Sequence, residues 1–360
     1  MALIQIKEPY HLCSEPLRYY DFMIADIEAA KKYVYVETFR IGSDEIGDRF
    51  LRALKEKSKE GVEVKLLVDG WGVANPGSDY YKKIREYGGE VRFFEKIKFN
   101  TDIFTRSHRR NHRKLLLIDD EITWIGSSNL TGYNLNWRES MLRMKSEITY
   151  TFSRLFMQDF RLYKKYIFNK VYNSRLVRYE DFEIVRDIPS IAYKRTNQKF
   201  IRLIKSAEKS VVIETPYFLP GFMLRKVMVD AVKRGVEVTV VIPKRSDVTL
   251  VDVLRNKYLG PLSKSGIRFL YYTVNNLHAK LLLVDDREFA VGSSNFDYRS
   301  FRYMFEIMLF GDEPLISSQV KEHMEKTITL AEPFVYKSWE NRPLINKFFE
   351  WLLLPFRHLL

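Results

Sequence analysis

Two stretches of the chain combine residue types that handle phosphate esters. Asn111-His112-Arg113-Lys114 leads through Leu115–Ile118 to Asp119, and then to Gly126-Ser127-Ser128-Asn129. The same string returns as His278-Ala279-Lys280, Asp285 and Gly292-Ser293-Ser294-Asn295, with identical internal spacing. One histidine, lysine, serine and asparagine make an anion pocket and half a reaction. Exchange at a phosphodiester through a covalent intermediate needs a nucleophile and a separate acid for the leaving oxygen. Two copies brought face to face supply both, and two lysines put positive charge where the phosphoryl oxygens gain negative charge. A single His-x-Lys is commonly a surface pair, but two copies with matched Asp, Gly, Ser, Ser and Asn are not a chance pattern.

Residues two apart on a strand share a face. His112 and Lys114 therefore point together, as do Ser127 and Asn129, and in the second copy His278 with Lys280 and Ser293 with Asn295. The four Ser and Asn side chains are expected to bind the substrate phosphate. Asp119 and Asp285 have the opposite parity at a strand end, so a turn-shaping role is expected of them. Glu139 follows the first copy and Glu306 the second, the latter within the apolar run Met304-Phe305-Glu306-Ile307-Met308. A bare carboxylate there is costly unless partnered. Each glutamate is expected to take the Nδ1 proton of a motif histidine, which leaves Nε2 facing phosphorus. For Glu139, an ordinary ion pair with Arg138 is the competing reading. The arrangement calls for no metal or other cofactor, and no further His, Cys and carboxylate cluster shows metal-ligand spacing.

The surroundings of the motifs repeat as well. Tyr33–Phe39 matches Val211–Pro216, each a β-branched and aromatic run between helical patterns. Gly61-Val62-Glu63-Val64 returns as Gly235-Val236-Glu237-Val238, a helix stop followed by a strand. Val91–Phe94 and Ile267–Leu270 come next, each after a glycine. Leu115–Ile118 with Ile122–Ile125, and Leu281–Val284 with Phe289–Val291, read as adjacent strands joined by short acidic turns. The alternation predicts an α/β fold of two similar α/β/α sandwich halves with mostly parallel sheets. The halves are expected to be related by a pseudo-twofold, with the active site at their interface. The division is expected near Arg186–Ser190, giving halves over 1–187 and 188–340. Residues 341–360 form an amphipathic segment, with Leu344, Ile345, Phe348, Phe349, Leu352, Phe356 and Leu359 on one helical face. It is too short to span a bilayer. It could lie in a membrane interface with Trp351 as anchor and Pro355 as kink, or pack as a terminal helix.

The 360 residues are enough for two domains, and 46% hydrophobic with 29% charged residues is a globular balance. Cys13 is the only cysteine, so no intramolecular disulfide forms and a reducing compartment is expected. No signal-peptide pattern is expected at the start, since Lys7 and Glu8 interrupt it, and no apolar run is long enough to span. The formal charge of +13 points to an anionic partner, either nucleic acid or an anionic membrane surface. Abundant Lys and Glu hint at a heat-adapted source.

The duplicated His-x-Lys-x4-Asp with its trailing Gly-Ser-x-x-Asn resembles the phospholipase D superfamily over nearly the whole chain. Within it, Asn111–Lys114, Arg234–Val238, Pro243–Asp247 and Asn295–Ser300 are most similar to bacterial cardiolipin synthases. Many of those carry Gly-Gly-Ser where this chain has Ile125-Gly126-Ser127, and many have amino-terminal membrane helices that are not seen in this sequence. The resemblance implies that one histidine attacks phosphorus to give a phosphohistidine, while the other protonates the departing alcohol and deprotonates the incoming one. It assigns His112 as nucleophile and His278 as acid and base; the nearly symmetric copies do not order themselves. It further implies transfer of a phosphatidyl group from one phosphatidylglycerol to another, releasing glycerol, at the cytoplasmic face of the cell membrane. Hydrolysis by water would make the chain a phospholipase D instead. A nuclease is a second class, for which Arg106, Arg109, Arg110, Arg113 and Lys114 would form a phosphate-tracking loop. The tandem motifs in one chain favour lipid over nucleic acid. With both motifs intact, a binding protein without catalysis is the weakest reading.

Overall fold

Seven strands of the first half recur in the second in the same order. In the computed structural model, which describes residues 6, 8–72, 79–94, 109–162, 176–189 and 194–355, the first half supplies eight strands. They are β1 (Tyr10–Cys13), β2 (Tyr33–Thr38), β3 (Glu63–Asp69), β4 (Glu90–Phe94), β5 (Arg110–Asn111), β6 (Leu115–Ile118), β7 (Ile122–Gly126) and β8 (Met141–Lys145). The second supplies β9 (Val177–Tyr179), β10 (Phe182–Asp187), β11 (Ser210–Glu214), β12 (Glu237–Pro243), β13 (Arg268–Tyr272), β14 (Leu281–Val284), β15 (Glu288–Gly292), β16 (Met304–Gly311) and β17 (Ala331–Pro333). The first sheet runs β1-β8-β7-β6-β2-β3-β4, and the second contains β10-β16-β15-β14-β11-β12-β13 with β9 and β17 added at its edges. This is the pseudo-twofold that the repeated sequence predicts.

The expected α/β class holds, but the sheets are mixed rather than mostly parallel. Only β2-β3-β4 and β11-β12-β13 pair in parallel; the remaining neighbours on these two paths are antiparallel. The reason is connection length. Helices α2 (Glu45–Lys59) and α3 (Asp79–Glu86) lie between the parallel strands of the first half, whereas β6 and β7 are joined by a short turn that permits only reversal. Asp119 and Asp120 sit there at φ 54° and 58°, and Asp285 and Asp286 repeat this at 53° and 57°. Aspartate tolerates the left-handed region that primed hairpin turns require.

The sequence-based division at residue 187 also shifts. β10 pairs with β16 from Phe182↔Gly311 to Asp187↔Glu306, so it belongs to the second sheet and the boundary falls ahead of Val177. It is the counterpart of β1, which pairs with β8.

Three apolar clusters order the layers. One covers the outer face of the first sheet with α1 (Pro16–Ala29), α2 and α3. A second covers the outer face of the other sheet with α5 (Arg195–Ser206), α6 (Phe222–Lys233) and α7 (Thr249–Lys264). The third lies between the sheets and takes side chains from both, with Ile148, Phe152 and Phe156 of α4 (Ile148–Leu162) and Ile316, Val320 and Met324 of α9 (Pro314–Thr329). A shared apolar core of this kind fixes the halves against each other. α8 (Tyr298–Tyr303) is a short helix between β15 and β16.

At the far end, α10 (Tyr336–Glu340) and α11 (Leu344–Leu353) dock on α7, with the Trp339 indole donating to the Asn256 carbonyl. α11 turns its apolar side outward: Leu344, Ile345, Phe348, Phe349, Trp351 and Leu352 are 44–80% exposed. Its buried residue is Glu350, which accepts two hydrogen bonds of 2.7 Å from the Arg342 guanidinium. Phe356, Arg357 and Leu359 lie outside the described residues. No helix among the described residues is long and apolar enough to cross a membrane.

Candidate active site

Each motif histidine is tied by its backbone to the opposite half. β5 leaves the first half to pair in parallel with Met304 and Phe305 of β16, and His112 N donates to Phe305 O at 3.0 Å. In mirror fashion Arg138 N donates to Asn276 O, and His278 N donates to Arg138 O, both at 2.8 Å. The segment that carries each histidine thus lies beside the segment that carries the other half's glutamate. His112 Nδ1 meets Glu306 at 3.0 and 3.2 Å, and His278 Nδ1 meets Glu139 at 2.9 and 3.0 Å. The expected pairing of each glutamate with a motif histidine is therefore present in the geometry, and it crosses between halves. Arg138 does not take Glu139; it bonds the Thr327 hydroxyl and the His323 carbonyl.

The serines stand elsewhere than expected. Ser127 Oγ donates to Glu139 at 2.5 Å and accepts from Ser140 N at 2.9 Å. Ser293 Oγ donates to Glu306 at 2.5 Å and accepts from Ile307 N at 3.0 Å. A hydroxyl has one proton, so neither has a donor left for phosphate; both serines instead fix the glutamates. The preceding glycines permit this approach, since a Cβ on Gly126 would lie 2.0 Å from Ser140 O and one on Gly292 2.3 Å from Ile307 O. Asn129 and Asn295 are buried beside them, each with a buried Oδ1 that has no hydrogen-bond partner among the described residues. Lys114 Nζ and Lys280 Nζ each donate to the carbonyl of their own histidine at 2.6 Å.

Crowding of charge in a buried site shifts its titrations. Burial, helped by the charges of Lys114 and Lys280, holds His112 well below the usual histidine range. Burial also lowers His278, against the pull of Glu139. Burial first, and Lys280 second, bring Lys114 down to about 7, while burial brings Lys280 to about 8. The carboxylates diverge. Burial pushes Glu306 up to about 8. Burial would raise Glu139 too, but the His278 ring and the Lys280 charge hold it below the usual carboxylate range. A lysine stabilises phosphoryl oxygens only when protonated, so in the role expected of Lys114 and Lys280 the sign for activity follows. The kcat/KM of the free enzyme should fall as pH rises through about 7 and again near 8. A pH–rate profile that stays flat to alkaline pH would remove the lysines from that role.

Asp119 and Asp285 stand a strand's length from their lysines. Asp119 accepts from the backbone N–H of Lys31, Lys32 and Tyr33 at 2.6–2.8 Å, and Asp285 from those of Glu208, Lys209 and Ser210 at 2.7–2.9 Å. Each ties its hairpin to the start of the neighbouring strand, β2 or β11. Asp119→Ala should cost about 2 kcal/mol in urea unfolding, since charged hydrogen bonds contribute about 1.5–3 kcal/mol. The kcat of the folded variant should stay near wild type.

Several supports were missed in sequence. Asn134 Nδ2 donates to Glu139 at 3.0 Å. The hydroxyls of Tyr19 and Tyr20 reach Ser128, and Tyr20 also reaches Asn129 O at 2.6 Å, so α1 holds the Gly-Ser-Ser-Asn loop from beneath. The ring of Phe39 lies 5.7 Å from His112, and that of Trp137 5.1 Å from His278. Glu37, at the end of β2, accepts from Asn111 Nδ2 at 2.8 Å and lies 3.5 Å from Arg113. The signal was present, because Glu-Thr ends the matched strand in both halves. The basic cluster around the first motif is not a free stripe. Arg110 and Arg113 are buried, with Asp69 at 3.5 Å from the former and Asp159 bonded to the latter, while Arg106 lies outside the described residues.

Comparison with known proteins agrees with this geometry. The family described as "Cardiolipin synthase, PLD-like domain" matches residues 23–162 and 200–328, more than half of the chain. The chain belongs to the phospholipase D superfamily. Among superfamily relatives, the cardiolipin synthase of Listeria welshimeri is 30% identical over 346 residues, covering 92% of this chain and 71% of that protein. Cardiolipin synthase 1 of Staphylococcus aureus is 31% identical over 346 residues, covering 92% and 69%. The crystal structure of phosphatidylserine synthase from Haemophilus influenzae matches the fold with a TM-score of 0.78 at 17% identity, covering 99% of this chain and 96% of that one.

Proposed function

We propose that this phospholipase D superfamily member is a cardiolipin synthase-like phosphatidyltransferase that joins two phosphatidylglycerol molecules into cardiolipin and releases glycerol. The observation that carries the reading is the pair of histidines, each buttressed by a glutamate of the other half, with two lysines and two asparagines about them. His112 Nε2 attacks the donor phosphorus, and the P–O bond to glycerol breaks as His278 Nε2 gives its proton to the departing oxygen. The acceptor hydroxyl then returns a proton to His278 and attacks the phosphohistidine, freeing His112. A neutral His112 suits the nucleophile. At His278 the ionised Glu139 pulls against the burial that lowers the ring, the bias that the acid requires. Lys114, Lys280, Asn129 and Asn295 face the phosphoryl oxygens.

The same reading places the enzyme peripherally on an anionic bilayer, at the cytoplasmic face of the cell membrane. The formal charge of +13 and the outward apolar face of α11 support it. Phe348→Glu combined with Trp351→Glu should weaken co-sedimentation with phosphatidylglycerol vesicles by more than about tenfold, as burying one such side chain contributes about 1.5–3 kcal/mol. Unchanged sedimentation would move the contact elsewhere.

The defining test incubates purified protein with phosphatidylglycerol vesicles in excess EDTA and identifies products by mass spectrometry. Cardiolipin plus glycerol is the expected outcome. Phosphatidic acid alone would mean a hydrolase, and no lipid turnover would turn attention to nucleic acid, single-stranded DNA first.

A further inference from the structure

The pseudo-twofold breaks at one pair of positions beside the histidines. The backbone bridges Ile41↔Leu130 and Phe218↔Phe296 set the correspondence, which makes Arg40 the counterpart of Tyr217 and Tyr133 the counterpart of Arg299. Each half thus carries one arginine and one tyrosine, with their places exchanged. In the first half the pair is open: the Arg40 guanidinium lies 5.9 Å over the ring of Tyr133, which is 63% exposed. In the second half it is partly buried. Tyr217 donates to Asp247 at 2.7 Å, and Arg299, four residues past Asn295, lies close enough for its charge to act on His112.

Arg299, which is partly buried, differs from the buried arginines around the site. Arg113 and Arg186 share Asp159, Arg143 meets Asp26 at 2.8 Å, and Arg110 lies 3.5 Å from Asp69. Among the described residues, no carboxylate lies within 4 Å of Arg299, and its Nε is buried without a hydrogen-bond partner. Its nearest acidic neighbour in sequence, Asp297, already caps α8 by accepting from Ser300 N at 2.6 Å. A guanidinium held partly out of water with its Nε unpaired is better satisfied when an anionic ligand completes it. Its planar fork matches phosphate.

We propose that Arg299 binds a second phosphodiester, the unreacting phosphate of the acceptor phosphatidylglycerol, beside the phosphate held between the histidines. The inference rests on the phosphatidyl-transfer reading above. The reacting phosphate already faces two lysines. The acceptor brings its own phosphate one glycerol away from the hydroxyl that attacks. Water and neutral alcohols carry no such charge, so Arg299 favours a lipid acceptor over hydrolysis without touching the reacting atoms.

The test is an acceptor competition. Phosphatidylglycerol vesicles with ethanol present yield cardiolipin, phosphatidylethanol and phosphatidic acid, which mass spectrometry separates. Arg299→Gln should lower the ratio of cardiolipin to the other two by at least about tenfold and raise the KM for phosphatidylglycerol as acceptor. Arg299→Lys should recover part of the ratio. An equal fall in all three products would assign Arg299 to the chemistry and overturn the proposal. A measurement on the wild type stands independently of any folding defect: glycerol 3-phosphate should outcompete glycerol as soluble acceptor by at least about tenfold. Equal use of the two would overturn the proposal. A wild-type protein that makes no cardiolipin would instead count against the underlying function.

Discussion

His112→Ala is expected to lower cardiolipin formation by about four orders of magnitude or more, the scale seen when a covalent nucleophile is removed. The variant should also lose any adduct that can be trapped on the protein. His278→Ala should be comparably slow with phosphatidylglycerol, because the imidazole assigned to protonate the departing glycerol is gone. Its defect differs in kind, since the nucleophile remains. Rapid acid-free quenching of His278→Ala with a short-chain donor, followed by peptide mass spectrometry, should find the phosphatidyl group on the peptide that contains His112. An adduct on His278 in the reciprocal His112→Ala variant would reverse the assignment. Burial lowers both histidines, His112 the further, and only at His278 does an ionised glutamate, Glu139, pull the other way; that difference favours His112 as the nucleophile and His278 as the acid.

Glu139→Gln and Glu306→Gln should each reduce turnover by about 10²–10⁴-fold, the range for impaired general acid–base function and misoriented histidine. Their consequences should cross between the halves. Glu306 contacts His112, so Glu306→Gln should slow adduct formation whatever the leaving group. Glu139 contacts His278, so the defect of Glu139→Gln should shrink with a p-nitrophenyl phosphodiester, whose leaving group needs no proton. Pairing within each half would give the opposite pattern. Ser127→Ala and Ser293→Ala act on the same carboxylates and should reproduce the two patterns in weaker form.

Much of this site was legible because its chemistry is duplicated. His112, Lys114, His278 and Lys280 announce themselves by spacing, and Glu306 by being a carboxylate inside an apolar run. The outer layers were legible too, since α2 and α6 carry helical periodicity that ends at glycines, Gly61 at φ 86° and Gly235 at φ 90°. Glu37 and Arg113 were less so. Their burial as a pair depends on Asp159 and Arg186, which come from α4 and β10 far along the chain.

The sequence by itself determined that there are two equivalent halves, which strands carry the motifs, and that two histidines, two lysines and two glutamates belong together. Periodicity and spacing are local properties, and local sterics read them directly. Only the tertiary structure decided which glutamate serves which histidine, that Ser127 and Ser293 hold carboxylates, that β10 joins the second sheet, and that α11 buries Glu350 and exposes its apolar side. Each of those depends on which segment lies beside which once both sheets close on α4 and α9. Groups nearly 200 residues apart then meet, as His112 and Glu306 do, and no pattern within either half specifies that the partner comes from the other.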